Sequence, residues 1–168
     1  MSRAVDKLDF WKARIDSSKN GNVHHSVYRC DGQLWQMLEK HHLNLMRKFI
    51  KPSDKVLDAA CGYGRMAQYF KPENYVGVDF SPDFIDMARA EYPDREFIVG
   101  DLKQLPFDDK QFDWAFGVSI KAMIVRELGE AEWIDMEREL RRVAQKIIFL
   151  EYSDGAGNHL KDNYEVIE

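Results

Sequence analysis

Val56-Leu-Asp-Ala-Ala-Cys-Gly-Tyr-Gly-Arg-Met-Ala67 is followed, after a short amphipathic run, by Tyr75-Val-Gly-Val-Asp79. An apolar segment ends in an acid, a glycine-rich turn follows, and a second apolar segment ends in another acid. This is the pattern of a strand, a tight turn into a helix, and a second strand, half of a nucleotide-binding α/β unit. The first strand is expected over residues 55–58, the turn and helix over 62–70, and the second strand over 75–79. Lys71-Pro72 stops the helix.

Working outward, the α/β alternation continues. Ser81-Pro82 supplies a helix cap followed by a first-turn proline. Phe84, Ile85 and Ala88 form the inner face of that helix, which stops before Pro93. Residues 96–99 predict a third strand, closed by Gly100-Asp101, and residues 112–118 a fourth. Trp133, Met136, Leu140 and Val143 recur at steps of three and four, so residues 130–144 read as a helix. A fifth strand is expected over 146–152. Strands alternating with helices imply a parallel sheet covered on both faces.

The first 50 or so residues read differently, by helical periodicity alone. Val5, Leu8, Trp11 and Ile15 make one apolar stripe, and a polar loop follows over residues 17–22. Asp31 or Gly32 then opens a longer helix with Leu34, Trp35, Leu38, Leu45, Met46 and Phe49 on one side. The expected organisation is a single domain over 1–168, with a helical lid or cap over 1–52 and an α/β core over 53–168.

Composition narrows the class. The chain has 168 residues, 45% of them hydrophobic and 32% charged, which describes one ordinary globular domain. A net charge of -5 leaves no electrostatic footprint for a phosphate backbone and disfavours nucleic acid as a partner. Cys30 and Cys61 lie far apart without metal-ligand spacing, so neither a disulfide framework nor a bound metal is expected. The start of the chain alternates charged and apolar residues, and no run approaches the ~20 apolar residues of a membrane span. The expectation is a cytoplasmic protein without a membrane segment.

Gly62, Gly64 and Ala67 satisfy G-x-G-x-x-A, which on letters alone is also a dinucleotide fingerprint. The acids argue otherwise. Asp58 sits at the mouth of the same turn, where a carboxylate repels a pyrophosphate by on the order of a kcal/mol or more. It suits a ligand carrying cationic groups, an amine and a sulfonium. Asp79 can then accept from ribose hydroxyls, and Asp101 from the exocyclic amine of an adenine. Phe80 and Leu102 follow these acids and can sandwich the adenine plane.

On these residues the stretch 55–118 resembles the cofactor-binding half of a class I S-adenosylmethionine-dependent methyltransferase of small-molecule type. That family's first motif is D-x-G-C-G-x-G, its second strand ends in D/E, and G-D or x-D follows its third. This chain has D-A-A-C-G-Y-G, G-V-D-F-S-P and V-G-D-L, with Ala60 standing where the family has glycine. The approach to the fourth strand, L-P-F-D-D-K-Q-F-D-W, is similar too. The resemblance implies a Rossmann-like α/β fold with a parallel sheet of about five strands, helices on both faces and an N-terminal helical extension. It also implies S-adenosyl-L-methionine as cofactor. Asp58 would face its methionine portion, with the backbone at Ala60, Gly62 and Gly64 approaching it. Asp79 would hold ribose, Asp101 with Leu102 and Phe80 the adenine, and Val118 or Ser119 would line the methionine side. Tyr28 would reach the cofactor carboxylate, as an N-terminal aromatic does in many relatives.

For methyl transfer the protein mainly orients the acceptor, and a base matters only when the nucleophile must lose a proton. Candidates are His24 and His25, in a loop read as a lid, and Lys121, which could bind an anionic acceptor. The fourth strand is followed by none of the N/D-P-P-Y/F/W signature of base amino-methylation, and no Pro-Cys supplies a C5-pyrimidine nucleophile. A small-molecule acceptor is left, a sugar or metabolite hydroxyl or an amine. The alternatives are a cofactor-binding, non-catalytic module or partner subunit, and a nicotinamide-dependent oxidoreductase. Class I relatives end in an antiparallel hairpin that is expected here to be truncated or absent, with residues 164–167 adding one short strand at most. The fifth strand would then be a bare edge, to be covered by the tail or by a homodimer partner.

Overall fold

A computed structural model of the chain describes residues 32–151 and 164–168. The N-terminal stripe, the polar loop, His24, His25, Tyr28 and Cys30 lie outside the described residues. The chain divides into two compact units between His42 and Leu43, and the second, Leu43–Glu168, holds the sheet. Helix α1 (Gly32–Met46) carries that division. Its last residues, Leu43, Leu45 and Met46, enter the core of the second unit together with Ile50.

Six strands form one sheet: β1 (Val56–Ala59), β2 (Tyr75–Asp79), β3 (Glu96–Val99), β4 (Phe112–Val118), β5 (Ala144–Leu150) and β6 (Tyr164–Ile167). Their order is β3-β2-β1-β4-β5-β6. The first five run parallel, and β6 runs antiparallel to β5, with Ile147 opposite Ile167 and Leu150 opposite Tyr164. Of the two covers expected for the edge of the fifth strand, the tail or a partner, the tail supplies one, as the short strand expected over 164–167. Four residues of the chain's own tail cover that edge.

Alternation along the strands builds two apolar layers. Val56, Tyr75, Phe97, Trp114, Phe116 and Ile148 face one side, with Ile85 and Ala88 of α2 (Pro82–Glu91). Leu57, Ala59, Val78, Ala115, Ile147 and Phe149 face the other. There they meet Ile124 of α3 (Lys121–Leu128) and Trp133, Leu140 and Val143 of α4 (Glu130–Val143). Trp133 crosses the Phe149 ring edge-on at 4.7 Å, a geometry that adds about 0.5–1.5 kcal/mol beyond the buried area. The predicted cap of α2 is present: Ser81 Oγ accepts from Phe84 N at 3.4 Å, with Pro82 in the first turn.

One expected element differs. Residues 62–70 form successive turns and a 3-10 helix at Ala67–Tyr69, not an α-helix. The bonds are i to i−3: Gly64 N to Cys61 O at 3.0 Å, Ala67 N to Gly64 O at 2.9 Å, Phe70 N to Ala67 O at 3.1 Å. Ala60, Gly62 and Gly64 all take positive φ, at 60°, 54° and 79°, which denies the segment a right-handed start. A cation holds two carbonyls of the segment as well, one of them already bonded in the 3-10 turn. Arg95 Nε reaches Ala67 O at 3.0 Å and Nη2 reaches Phe70 O at 3.2 Å.

Ala60 stands in the left-handed region, where a side chain costs about 1–2 kcal/mol. A glycine there relieves that strain and gives back about 0.4–1 kcal/mol through the freer unfolded chain. Ala60→Gly is expected to stabilise the fold by ~0.5–1 kcal/mol, read as a higher denaturation midpoint; an unchanged or lower midpoint refutes the strain.

Candidate active site

The strand order reverses at β1, which lies between β2 and β4. In an open α/β sheet the crevice outside the carboxyl ends at such a point is the ligand site. The residues there come from the ends of β1, β2 and β4 and from the turns that follow them.

Asp58 lies on the same face of β1 as Val56, one residue from the strand end, and is 3% exposed. The Tyr75 hydroxyl donates to its Oδ2 at 2.8 Å. Burial pushes the Asp58 carboxyl up to about 7; the Tyr75 bond and the Arg65 charge pull against it, and nearby Asp79 adds to it. Near neutral pH the carboxyl of the free chain is thus poised between its two forms, where the sequence reading took it as a standing negative charge. A cationic group placed beside it would draw it back to carboxylate. Tyr75 was not singled out from sequence. Its partner sits 17 residues away on the neighbouring strand.

Asp79 closes the other side of the turn. Its Oδ2 accepts from Gly62 N at 2.9 Å and its Oδ1 from Ser81 N at 2.9 Å, so one carboxylate pins the glycine turn to the start of α2. It is 5% exposed, and burial raises its pKa despite those bonds. With about four acceptor directions on its two oxygens, Asp79 keeps capacity for a ligand hydroxyl beyond its backbone donors.

The two turn glycines differ. A Cβ on Gly62 would meet nothing within 4 Å, which leaves its backbone open to a ligand. A Cβ on Gly64 would lie 2.8 Å from the Phe97 ring and 3.1 Å from Ala88, so its missing side chain is used by the core. Cys61 is buried, and its sulfur would stand 2.9 Å from a Cβ on Gly77. Burial and the acids Asp58 and Asp79 push its thiol well up, which suits packing.

Beyond β3, Asp101 is exposed and its Oδ1 accepts from Lys103 N at 2.9 Å. Phe80 is 42% exposed, whereas Leu102 is 7% exposed and packed in the second apolar layer. Val118 ends β4 and Ser119 follows it, both half-buried. Ser119 takes φ 56°, its N–H donates to Leu150 O at 2.6 Å, and its Oγ is buried with no partner among the described residues. Lys121 pairs with Glu165 of β6 at 2.5 Å, and its ammonium lies 5.7 Å from the centre of the Trp133 ring.

Glu151 directly follows β5 and was not named from sequence. Its Oε1 accepts from Ala122 N at 3.3 Å, at the start of α3. Burial raises its pKa, opposed by the backbone bonds and by Lys121. The signal that finds it is the one used for Asp58 and Asp79, an acid where a parallel strand ends.

Among the described residues no cluster of His, Cys, Asp and Glu has metal-binding geometry, and no helix is long and apolar enough to cross a membrane.

Known proteins resemble this chain. Over 70 residues the chain is 39% identical to a fatty-acid O-methyltransferase of Mycolicibacterium smegmatis, covering 38% of this chain and 26% of that one. It is 26% identical over 164 residues to the phthiotriol/phenolphthiotriol dimycocerosates methyltransferase of Mycobacterium tuberculosis, covering 76% and 61%. It thus spans about a quarter to three fifths of the length of these relatives. A solved TehB-like SAM-dependent methyltransferase of Corynebacterium glutamicum superposes with a TM-score of 0.55 at 24% identity, covering 75% of this chain and 71% of that one. The methyltransferase domain family matches residues 56–147, from β1 into β5, a stretch that includes Asp58, Asp79 and Asp101. On that match the chain belongs to the methyltransferase domain family, and its sheet is that of the class I, S-adenosylmethionine-dependent fold.

Proposed function

We propose that the chain transfers a methyl group from S-adenosylmethionine to a small-molecule acceptor, at a hydroxyl or an amine. The observation that carries this is the open backbone at Gly62, flanked by the carboxyls of Asp58 and Asp79. The fit to the cofactor is chemical. Asp58 would take the methionine ammonium, Gly62 would let that moiety lie on the turn, and Asp79 would accept from the ribose diol while holding Gly62 in place. Asp101 would accept from the adenine amine with Phe80 over the ring plane; Leu102, already in the core, would support the floor. Ala60, Gly64, Val118 and Ser119 complete the wall, Gly64 through packing.

When bound, the cofactor supplies a methyl group on a positively charged sulfur, so the leaving group departs neutral. The protein's own residues orient the acceptor and exclude water. A pyrophosphate would fare worse here. The segment after the turn is 3-10 and short, without the α-helical dipole that steadies such a group.

Titration calorimetry with S-adenosylhomocysteine and NAD, together with transfer of a labelled methyl to an acceptor panel, tests the reading. The panel holds sugars, amines and, because the two curated relatives are named for lipids, hydroxyl- and carboxyl-bearing lipids. Micromolar binding of S-adenosylhomocysteine with label in an acceptor is the expected result. Tighter NAD binding refutes it, and cofactor binding without any transfer favours the non-catalytic module.

A further inference from the structure

We propose that Glu151 is the proton acceptor of the transfer, and that the acceptor nucleophile is one that brings a proton into the site, a hydroxyl or an amine N–H, not a carboxylate. The inference rests on the methyltransferase reading above and names the substrate class within it.

Position comes first. Glu151 leaves the carboxyl end of β5, next to the strand β4 whose end opens the crevice. The backbones join at that level, where Ser119 N donates to Leu150 O, the residue before Glu151, at 2.6 Å. Ser119 Oγ is buried there without a hydrogen-bond partner among the described residues. A buried hydroxyl left unmade costs about 1–3 kcal/mol, and an acceptor bearing an O–H or N–H can satisfy it. One group for orientation and one for the proton thus stand at the same end of adjacent strands.

Charge then chooses the acceptor. The charged groups facing Glu151 are Lys121 of α3 and, through it, Glu165 of β6. Lys121 is engaged twice, by the Glu165 carboxylate and over the Trp133 ring, so its charge is offset. Asp58 and Asp79 hold the other side of the crevice, with Arg65 beside Asp58. A carboxylate acceptor brings no proton for Glu151 to take and would meet that acid beside a Lys121 already paired with Glu165. A hydroxyl or amine enters without that repulsion.

The chemistry balances. The acceptor oxygen or nitrogen forms a bond to the methyl carbon as the carbon–sulfur bond breaks, its electron pair staying on sulfur. The O–H or N–H proton passes to a Glu151 oxygen, and solvent later removes it. Glu151 is half-buried, and its carboxyl is already biased toward the protonated form by desolvation. Its second role, accepting from the first N–H groups of α3, holds the carboxylate in place.

Three probes that differ only in the nucleophile test this on the full chain with labelled S-adenosylmethionine: 4-hexylphenol, 4-hexylbenzylamine and 4-hexylbenzoate. The wild type is expected to methylate the phenol or the amine at least tenfold faster than the benzoate. Glu151→Gln, which still accepts from Ala122 N, is expected to lower kcat for that substrate by about 10²–10⁴ with S-adenosylhomocysteine affinity unchanged. The acidic limb of the kcat–pH profile disappears with it, and Glu151→Asp restores part of the rate and of the limb. A merely structural Glu151 would move the denaturation midpoint and leave the pH profile alone. Preference for the benzoate, turnover of none of the three by a cofactor-bound protein, or an unchanged pH profile in Glu151→Gln overturns the assignment. A protein that fails to bind S-adenosylhomocysteine overturns the underlying function instead.

Discussion

Asp58→Asn raises the stability of the free protein above pH 7 and weakens its hold on the cofactor. Burial lifts the Asp58 carboxyl from 3.8 to about 7, so between those values the folded chain keeps a proton that the unfolded chain has released. Fewer protons on the unfolded state mean that stability falls as pH rises. The favourable contribution is whole below about pH 4 and is lost as pH climbs through 7. At pH 8 the ionised carboxylate costs on the order of 4 kcal/mol. Asparagine removes the charge, and its Oδ1 still accepts from Tyr75. A gain of ~2–4 kcal/mol at pH 8 is expected, shrinking steadily toward pH 4, as read by denaturant unfolding at several pH values. A variant that is less stable than wild type at pH 8 refutes the burial argument.

The same substitution acts oppositely on binding. In wild type, S-adenosylhomocysteine, which carries the methionine ammonium, is expected to bind more tightly as pH rises through 7 and Asp58 ionises. The variant loses that dependence and about ten- to a hundredfold in affinity, the value of a hydrogen bond to a charged group. Equal affinity at pH 8, or a retained pH dependence, removes Asp58 from the methionine subsite. A residue that destabilises the empty fold while improving the loaded one is what a binding role requires of a buried acid.

The parts of this fold that were legible in sequence are those fixed by local signals. The strands expected over 55–58 and 146–152 are found, shifted by one or two residues, as β1 and β5 because both are short, mainly apolar runs. Helix α2 is found because Ser81 and Pro82 mark its start. The segment after the glycines misled because Met66, Ala67 and Tyr69 look helical, while three alternating positive-φ positions and the reach of Arg95 from 28 residues away decide its shape. β6 lies where the sequence allowed one short strand, over residues 164–167; its place beside β5 comes from the open hydrogen bonds of that strand. At the site, the acids were visible because strand ends are predictable, but their states were not. The Tyr75 bond to Asp58 depends on strand pairing, and the double duty of Asp79 on where the turn folds back.

That double duty gives Asp79 the second large effect. Asp79→Ala leaves the N–H groups of Gly62 and Ser81 without their acceptor. Each lost bond costs about 1–3 kcal/mol, and removing a carboxylate that burial already disfavours returns part of it. A net destabilisation of ~1–3 kcal/mol is expected, with about a hundredfold or greater loss of S-adenosylhomocysteine affinity. Two causes could produce that loss: an absent acceptor for the ribose hydroxyls, or a glycine turn released from its anchor. The 2′,3′-dideoxy form of the ligand separates them in a double-mutant cycle. If Asp79 touches the ribose, wild type loses affinity for the dideoxy ligand and the variant does not distinguish the two ligands. If it acts through Gly62 alone, the variant discriminates between the ligands as strongly as wild type does. The expected result is the first, because the two carboxylate oxygens offer about four acceptor directions, more than their backbone donors fill, and a diol supplies donors for the remainder.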